Sequence, residues 1–151
     1  MDLGEVARRA ARRVHRHTRR LIRVDADGSV ILGRPHRLEC AVSNLAENAA
    51  KFDARSAGET EDAEPVRLEI RTGRVTVSDH GHGIGAADAT RVFDCFHRVD
   101  SARGLPGSGL GLAIVRDVAE THDGTVFARS RPGGGAEVGF SVGGRGLLPP
   151  G

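Results

Sequence analysis

Asn44-Leu45-Ala46-Glu47-Asn48-Ala49-Ala50-Lys51-Phe52 contains the single lysine among the 22 Lys and Arg residues of this 151-residue chain. Taken as a helix at about 100° per residue, it places Asn44, Asn48 and Lys51 within roughly 60° of one another. Leu38, Val42, Leu45 and Ala49 fall on the opposite side, so one face is core and the other polar. Two carboxamides one turn apart offer neutral oxygens suited to a hard cation such as Mg²⁺, and the ammonium a turn further on can meet phosphate. An amphipathic surface helix with solvated Asn and Lys has the same pattern.

Two glycine-rich boxes follow. In Val75-Thr76-Val77-Ser78-Asp79-His80-Gly81-His82-Gly83-Ile84-Gly85, alternation predicts a half-buried strand that gives way at Asp79 to a glycine turn. A carboxylate there can accept a proton from the exocyclic amine of adenine, and Gly81 and Gly83 let backbone approach a base with no Cβ in the way. An ordinary strand-ending Asp-x-Gly turn reads the same. In Gly104-Leu105-Pro106-Gly107-Ser108-Gly109-Leu110-Gly111-Leu112-Ala113-Ile114-Val115, a glycine run feeds an apolar helical pattern, so main-chain amides at the helix start face an anion. No Lys-Ser/Thr pair follows the glycines and no strand precedes them, which excludes a P-loop and a dinucleotide fingerprint; a plain loop-to-helix junction stays open.

The order of these boxes resembles the ATP-binding catalytic domain of sensor histidine kinases, in the superfamily that also holds type II topoisomerase and heat-shock ATPase domains. Residues 44–52 resemble its N box, 79–85 its G1 box, Val92-Phe93-Asp94-Cys95-Phe96-His97-Arg98-Val99-Asp100 its F box and 107–115 its G2 box. His122-Asp123-Gly124-Thr125-Val126 and Pro132-Gly133-Gly134-Gly135-Ala136 resemble the closing hairpin. The resemblance spans residues 1–142. It implies ATP and Mg²⁺ as cofactors, with Asn48 on the metal helped by Asn44, Lys51 on phosphate, Asp79 on the adenine amine and Arg98 on the terminal phosphate. Gly81, Gly83 and Ile84 would complete the base pocket. Gly107, Ser108, Gly109, Leu110, Gly111 and Leu112 would line the triphosphate, and residues 80–108 would form a mobile lid. Phe93 and Phe96 serve core packing, lid anchoring or both. Asn44 stands where hydrolases of the superfamily and anti-sigma serine kinases carry Glu. An amide cannot take the attacking water's proton, which favours transfer over hydrolysis.

The fold implied is a two-layer α/β sandwich, the Bergerat ATP-binding fold. It is a mixed, mostly antiparallel five-stranded sheet with about three helices on one face. Asp2 caps a first helix to about His17. Residues 19–24 and 29–32 read as a hairpin turning at Asp25-Ala26-Asp27-Gly28, and the N-box helix begins after Pro35. Residues 53–64 read as an acidic loop ended by Pro65. A hairpin of 66–72 and 74–79 turns at Gly73, a helix spans about 109–121, and strands at 125–130 and 136–142 close the sheet. Residues 143–151 read as a disordered tail.

At this length one domain is expected, able to bury about 68–70% of its unfolded surface. No stretch approaches the roughly 20 apolar residues of a membrane span and no N-terminal signal segment is evident, so a cytoplasmic chain without membrane contact is expected. Cys40 and Cys95 read as structural thiols. The net charge is only +2. Arg8, Arg9, Arg12, Arg13, Arg16, Arg19, Arg20 and Arg23 read as circling the N-terminal region, a solvated helix beside a partner domain and not a nucleic-acid surface. His80 and His82 lack a third metal ligand and read as lid-surface residues.

A complete kinase of the resembled type also needs a phosphoacceptor His on a dimeric helical hairpin, followed by an acidic residue and then Pro. None of the seven histidines fits, so autophosphorylation by this chain alone is not expected. The implied partner is a helical dimerisation and phosphoacceptor domain, in the same parent protein or a split-kinase partner, with a response regulator downstream. An anti-sigma serine kinase and a non-catalytic ATP-responsive module are the alternatives.

Overall fold

The computed structural model describes residues 2–18, 21–31, 33–52, 66–79, 111–130, 135–143 and 147–148. Helix α1 (Leu3–Thr18) starts at Asp2, whose Oδ1 accepts the Gly4 N–H at 2.8 Å and caps the first turn. Strands β1 (Ile22–Ala26) and β2 (Val30–Ile31) follow, then α2 (Pro35–Phe52) with proline at its first position, where no amide is needed. After β3 (Val66–Arg71) and β4 (Arg74–Ser78) come α3 (Gly111–Thr121), β5 (Val126–Ser130), β6 (Ala136–Ser141) and β7 (Leu147–Leu148).

Five strands form one sheet in the order β1-β3-β4-β6-β5, with β1 and β3 parallel and the other neighbours antiparallel. Period-2 alternation sends Val66, Leu68, Ile70, Val75, Val77, Val138 and the fully buried Phe140 to one face. Against that face pack Leu3, Val6, Ala10 and Val14 of α1, Leu38, Val42, Leu45 and Ala49 of α2, and Val115 and Val118 of α3. Among the described residues a mixed five-stranded sheet lies under three helices, the expected two-layer sandwich.

The β3–β4 hairpin turns at Thr72 and Gly73, both at positive φ (47° and 74°), as a two-residue turn requires. The hairpin expected from residues 19–24 and 29–32 is not formed. β1 pairs in parallel with β3, Ile22 opposite Val66, and β2 pairs antiparallel with β7. The turn chemistry of Asp27 goes elsewhere: its Oδ1 accepts from the Ser29 amide and hydroxyl, and its Oδ2 accepts the Thr72 N–H at 2.6 Å. Ser29 Oγ in turn accepts the Gly73 N–H at 3.1 Å. Asp27 therefore braces the β3–β4 turn, and these bonds, the Ser29 hydroxyl first and the Thr72 amide second, hold its carboxyl below the usual aspartate value.

Two further expectations are corrected. The tail after residue 142 is not wholly disordered, because the Gly143 N–H donates to His122 O at 3.0 Å and the apolar pair Leu147–Leu148 supplies β7. On α1 the exposed Arg8, Arg9, Arg12, Arg13 and Arg16 form one stripe of about 140° instead of circling the helix. The core takes the remaining side through Leu3, Val6, Ala7, Ala10, Ala11 and Val14. Among the described residues no helix is long and apolar enough to cross a membrane.

Candidate nucleotide site

Asn44 and Asn48 are half-buried on the polar face of α2, one turn apart. Arg37 lies within about 20° of both on the helical wheel and approaches Asp117 of α3 at 3.9 Å, so the asparagine stripe runs along the side where α3 stands. The Asn44 carboxamide donates to Cys40 Sγ at 3.6 Å, which leaves its oxygen available to a cation. Cys40 is a free thiol, as expected, and it is exposed. Lys51 lies in the last turn of α2, and its side chain is outside the described residues.

Asp79, at the end of β4, is only 4% exposed. Its N–H donates to Ala136 O at 3.0 Å, and its Oδ1 accepts the Ala136 N–H at 3.1 Å. Those two bonds pin the carboxylate to the first residue of β6. A carboxylate can accept more than one donor, so holding Ala136 is compatible with receiving an amine.

The start of α2 and the end of α3 are joined at the far end of the sandwich. His122, just past α3, accepts the Arg34 N–H at 3.2 Å, and its carbonyl accepts the Gly143 N–H beyond β6. From there Asn48 lies about 21 Å along α2 and Gly111 about 16 Å along α3, while Ala136 lies about 23 Å along β6. The Asn44–Asn48 face, the first turn of α3 and Asp79 are thereby level at one end, although they are separated by up to 67 positions in sequence. Gly111 opens α3 and Leu112 is half-buried, where that helix packs against the core. Gly81, Gly83, Ile84, Arg98, Gly107, Ser108, Gly109 and Leu110, with the F box and the lid, lie outside the described residues.

The chain matches the family of histidine kinase-, DNA gyrase B- and HSP90-like ATPases over residues 33–143. It belongs to that family. Within it, the chain is 36% identical over 159 residues to the signal transduction histidine-protein kinase/phosphatase MprB of Mycobacterium sp. (strain KMS), aligned over all of this chain and 30% of the relative. The chain thus spans about a third of the length of the curated relatives it matches. A mycobacterial sensor histidine kinase MprB structure superposes with TM-score 0.82 at 29% identity, covering 99% of this chain and 98% of that one. Full-length ShkA in complex with AMPPNP superposes with TM-score 0.67 at 28% identity, covering 99% of this chain and 31% of that one.

Relative to the ATPase boxes read in sequence, the structure adds a residue that sequence reasoning placed only in the closing hairpin. His122 occupies the next position of the apolar stripe Val115, Val118, Ala119, at the spacing of a helix core face, and it is 7% exposed. A polar residue continuing an apolar stripe was the available signal. Among the described residues no group of three His, Cys, Asp or Glu side chains could hold a metal. Asn44 and Asn48 offer two carboxamide oxygens on one face of α2, neutral donors of the kind a hard cation accepts.

Proposed function

We propose that this domain binds Mg²⁺·ATP at the end of the sandwich where α2, β4 and α3 converge, and presents the γ-phosphate to a histidine on a separate helical domain. The observation that carries the reading is the levelling of Asn44 and Asn48, Asp79 and the first turn of α3 at one end of the sheet. The ATPase family and the AMPPNP complex of a structural relative support a nucleotide there. In this reading Asp79 takes the adenine amine, with Gly81, Gly83 and Ile84 beside the base. Asn48, aided by Asn44, holds Mg²⁺, and Lys51 contacts phosphate. Gly107, Ser108, Gly109, Leu110, Gly111 and Leu112 follow the triphosphate, and Arg98 meets its terminal group.

Phosphoryl transfer needs positioning and neutralisation of charge more than covalent help from the protein. Asn48 and Asn44 would hold Mg²⁺ through their amide oxygens, the metal would supply charge neutralisation, and these neutral ligands would leave the net charge to ATP. Asn44 stands where a carboxylate would take the attacking water's proton, and its amide cannot, which favours holding the phosphate for an incoming nucleophile although Glu47 lies on the same turn. Helical phosphoacceptor domain and response regulator are the partners this implies, and the curated relatives, named as kinase/phosphatases, are long enough to carry further domains.

The test is transfer of radiolabelled γ-phosphate, first with the chain alone and then with a dimeric His-bearing hairpin. Acid-labile label on the hairpin and none on this chain is the expected result. Acid-stable label on serine, or nucleotide binding with no transfer to any hairpin, refutes it.

A further inference from the structure

The apolar stripe of α3 runs Val115, Val118, Ala119, and the next position inward is His122. Its Nδ1 lies 2.8 Å from Val118 O, and its Nε2 lies 3.2 Å from the Arg34 amide nitrogen. A carbonyl has no proton to give, so Nδ1 carries the ring proton. An amide N–H has no lone pair to offer, so Nε2 accepts. Only the neutral Nδ1–H tautomer satisfies both partners.

Each partner ends an element. Arg34 immediately precedes Pro35, its carbonyl accepts the Leu38 N–H at 3.0 Å, and its own N–H lies outside the helix ladder of α2. At the other end, α3 stops with Asp123 at φ 57° and the Gly124 N–H on Ala119 O at 2.8 Å, a Schellman closure that turns the His122 ring back over Val118. Gly33 lies flat against the ring: a Cβ there would be 2.7 Å from both Cδ2 and Nε2. Arg37 and Asp117 also approach each other across α2 and α3, an exposed contact at 3.9 Å that contributes little, and the apolar packing between the two helices is non-directional. The Arg34–His122 bond is part-buried and has a fixed direction, so it can set how far one helix is advanced along the other.

We propose that His122 is a positioning residue for the nucleotide site, its neutral ring locking the axial register of α3 against α2 and so the spacing between the Asn44–Asn48 face and the first amides of α3. The inference rests on the nucleotide reading above. It says that a residue some 16–21 Å from that face along the helices governs it through two rigid elements.

The experiment compares four versions of the full chain: wild type, His122→Ala, His122→Gln and Val14→Ala, the last a buried position on α1, outside both helices, that serves as a stability control. Glutamine places an N–H and a carbonyl oxygen at about the separation of the ring nitrogens, so it can serve Val118 and Arg34 together. Mg²⁺·ATP affinity is measured by calorimetry well below each melting temperature, and amide hydrogen exchange is followed without nucleotide.

His122→Ala is expected to bind Mg²⁺·ATP about tenfold more weakly and to exchange faster at Asn44–Asn48 and at Gly111–Ala113. The glutamine variant should return to wild-type behaviour in both, and Val14→Ala should melt earlier with affinity unchanged. Should His122→Ala fail to fold, Gly33→Ala, which drives the ring off Arg34 while leaving it in place, takes the same readouts and the same expected result. Wild-type affinity and exchange in the folded alanine variant overturn the proposal, as does an equal loss of affinity in Val14→Ala. If wild type itself does not bind Mg²⁺·ATP, the nucleotide reading falls, and exchange at the two distant helix segments alone decides the role of His122.

Discussion

Replacing Asp79 by Asn changes one atom and one charge. In the protein Asp79 is 4% exposed, and its Oδ1 accepts the Ala136 N–H at 3.1 Å while its own N–H donates back to Ala136 O. An asparagine carboxamide keeps an oxygen for Ala136, so the β4–β6 brace survives with a neutral acceptor in place of a charged one. The expected loss is about 1 kcal/mol, or about 2–4 °C in Tm for a domain of this size. Binding is affected far more. A hydrogen bond from the adenine amine to a charged acceptor contributes about 1.5–3 kcal/mol, so Kd for Mg²⁺·ATP should rise roughly 10- to 150-fold. The assay is calorimetric titration with ATP and with inosine triphosphate, whose base carries a carbonyl where adenine has the amine. Wild type should prefer ATP, and the variant should lose that preference because its amide can face either group. Unchanged ATP affinity, with the preference over inosine triphosphate intact, would refute the assignment and leave Asp79 as a strand-end brace alone.

Phe140→Ala removes the largest fully buried side chain, on the face of β6 that the helices cover, and should cost about 3–5 kcal/mol by urea unfolding with the m-value retained. Gly139→Ala, on the opposite face, would set a Cβ 1.9 Å from Val75 O and 2.7 Å from Phe127 Cζ, so a loss of more than about 3 kcal/mol is expected in thermal melts; wild-type melting would contradict the close approach of β4 and β6. Asp27→Asn addresses acid stability. The carboxyl is depressed in the folded state, so its stabilisation is present above the unfolded value and is lost as pH falls below about 4 through the folded one. Wild type should therefore lose stability between pH 5 and pH 2 more steeply than the variant, a difference that denaturant titration across that range measures.

Where local pattern and tertiary structure agree, the elements lie where the sequence places them. Asp2 caps α1, Pro35 opens α2, and Thr72-Gly73 turns β3 into β4, because each signal is satisfied within a few residues. Strand pairing at the sheet edge was not legible. Asp25-Ala26-Asp27-Gly28 has the composition of a hairpin turn, yet the carboxylate and hydroxyl that would close it bind Thr72 and Gly73, more than 40 residues away. Local chemistry specifies that Asp27 will satisfy an amide and leaves open which one. The arginine stripe of α1 shows only when Arg8, Arg9, Arg12, Arg13 and Arg16 are taken apart from Arg23, which lies on β1. The face of α2 that carries Asn44 and Asn48 was readable from spacing. His122 was not, because its partner Arg34 is brought beside it only by the packing of α2 against α3.

The unanticipated parallel pairing also decides to which end of the sheet α2 carries its asparagines. Had β1 and β2 formed their own hairpin, nothing in the order of elements would require α2 to run from one end of the sheet to the other. With β1 parallel to β3, the chain must return to the end where β1 began, and α2 is the element that makes the return. That crossover carries Asn44 and Asn48 away from Gly143 and toward Ala136, where antiparallel β4 delivers Asp79. α3 then runs the opposite way, ending at His122 beside the start of α2, so its first amides lie at the same end as the asparagines. Asn44, Asn48, Asp79 and the first turn of α3, far apart in sequence, reach one end of the sheet because a single parallel pair sets the direction of the helix between them.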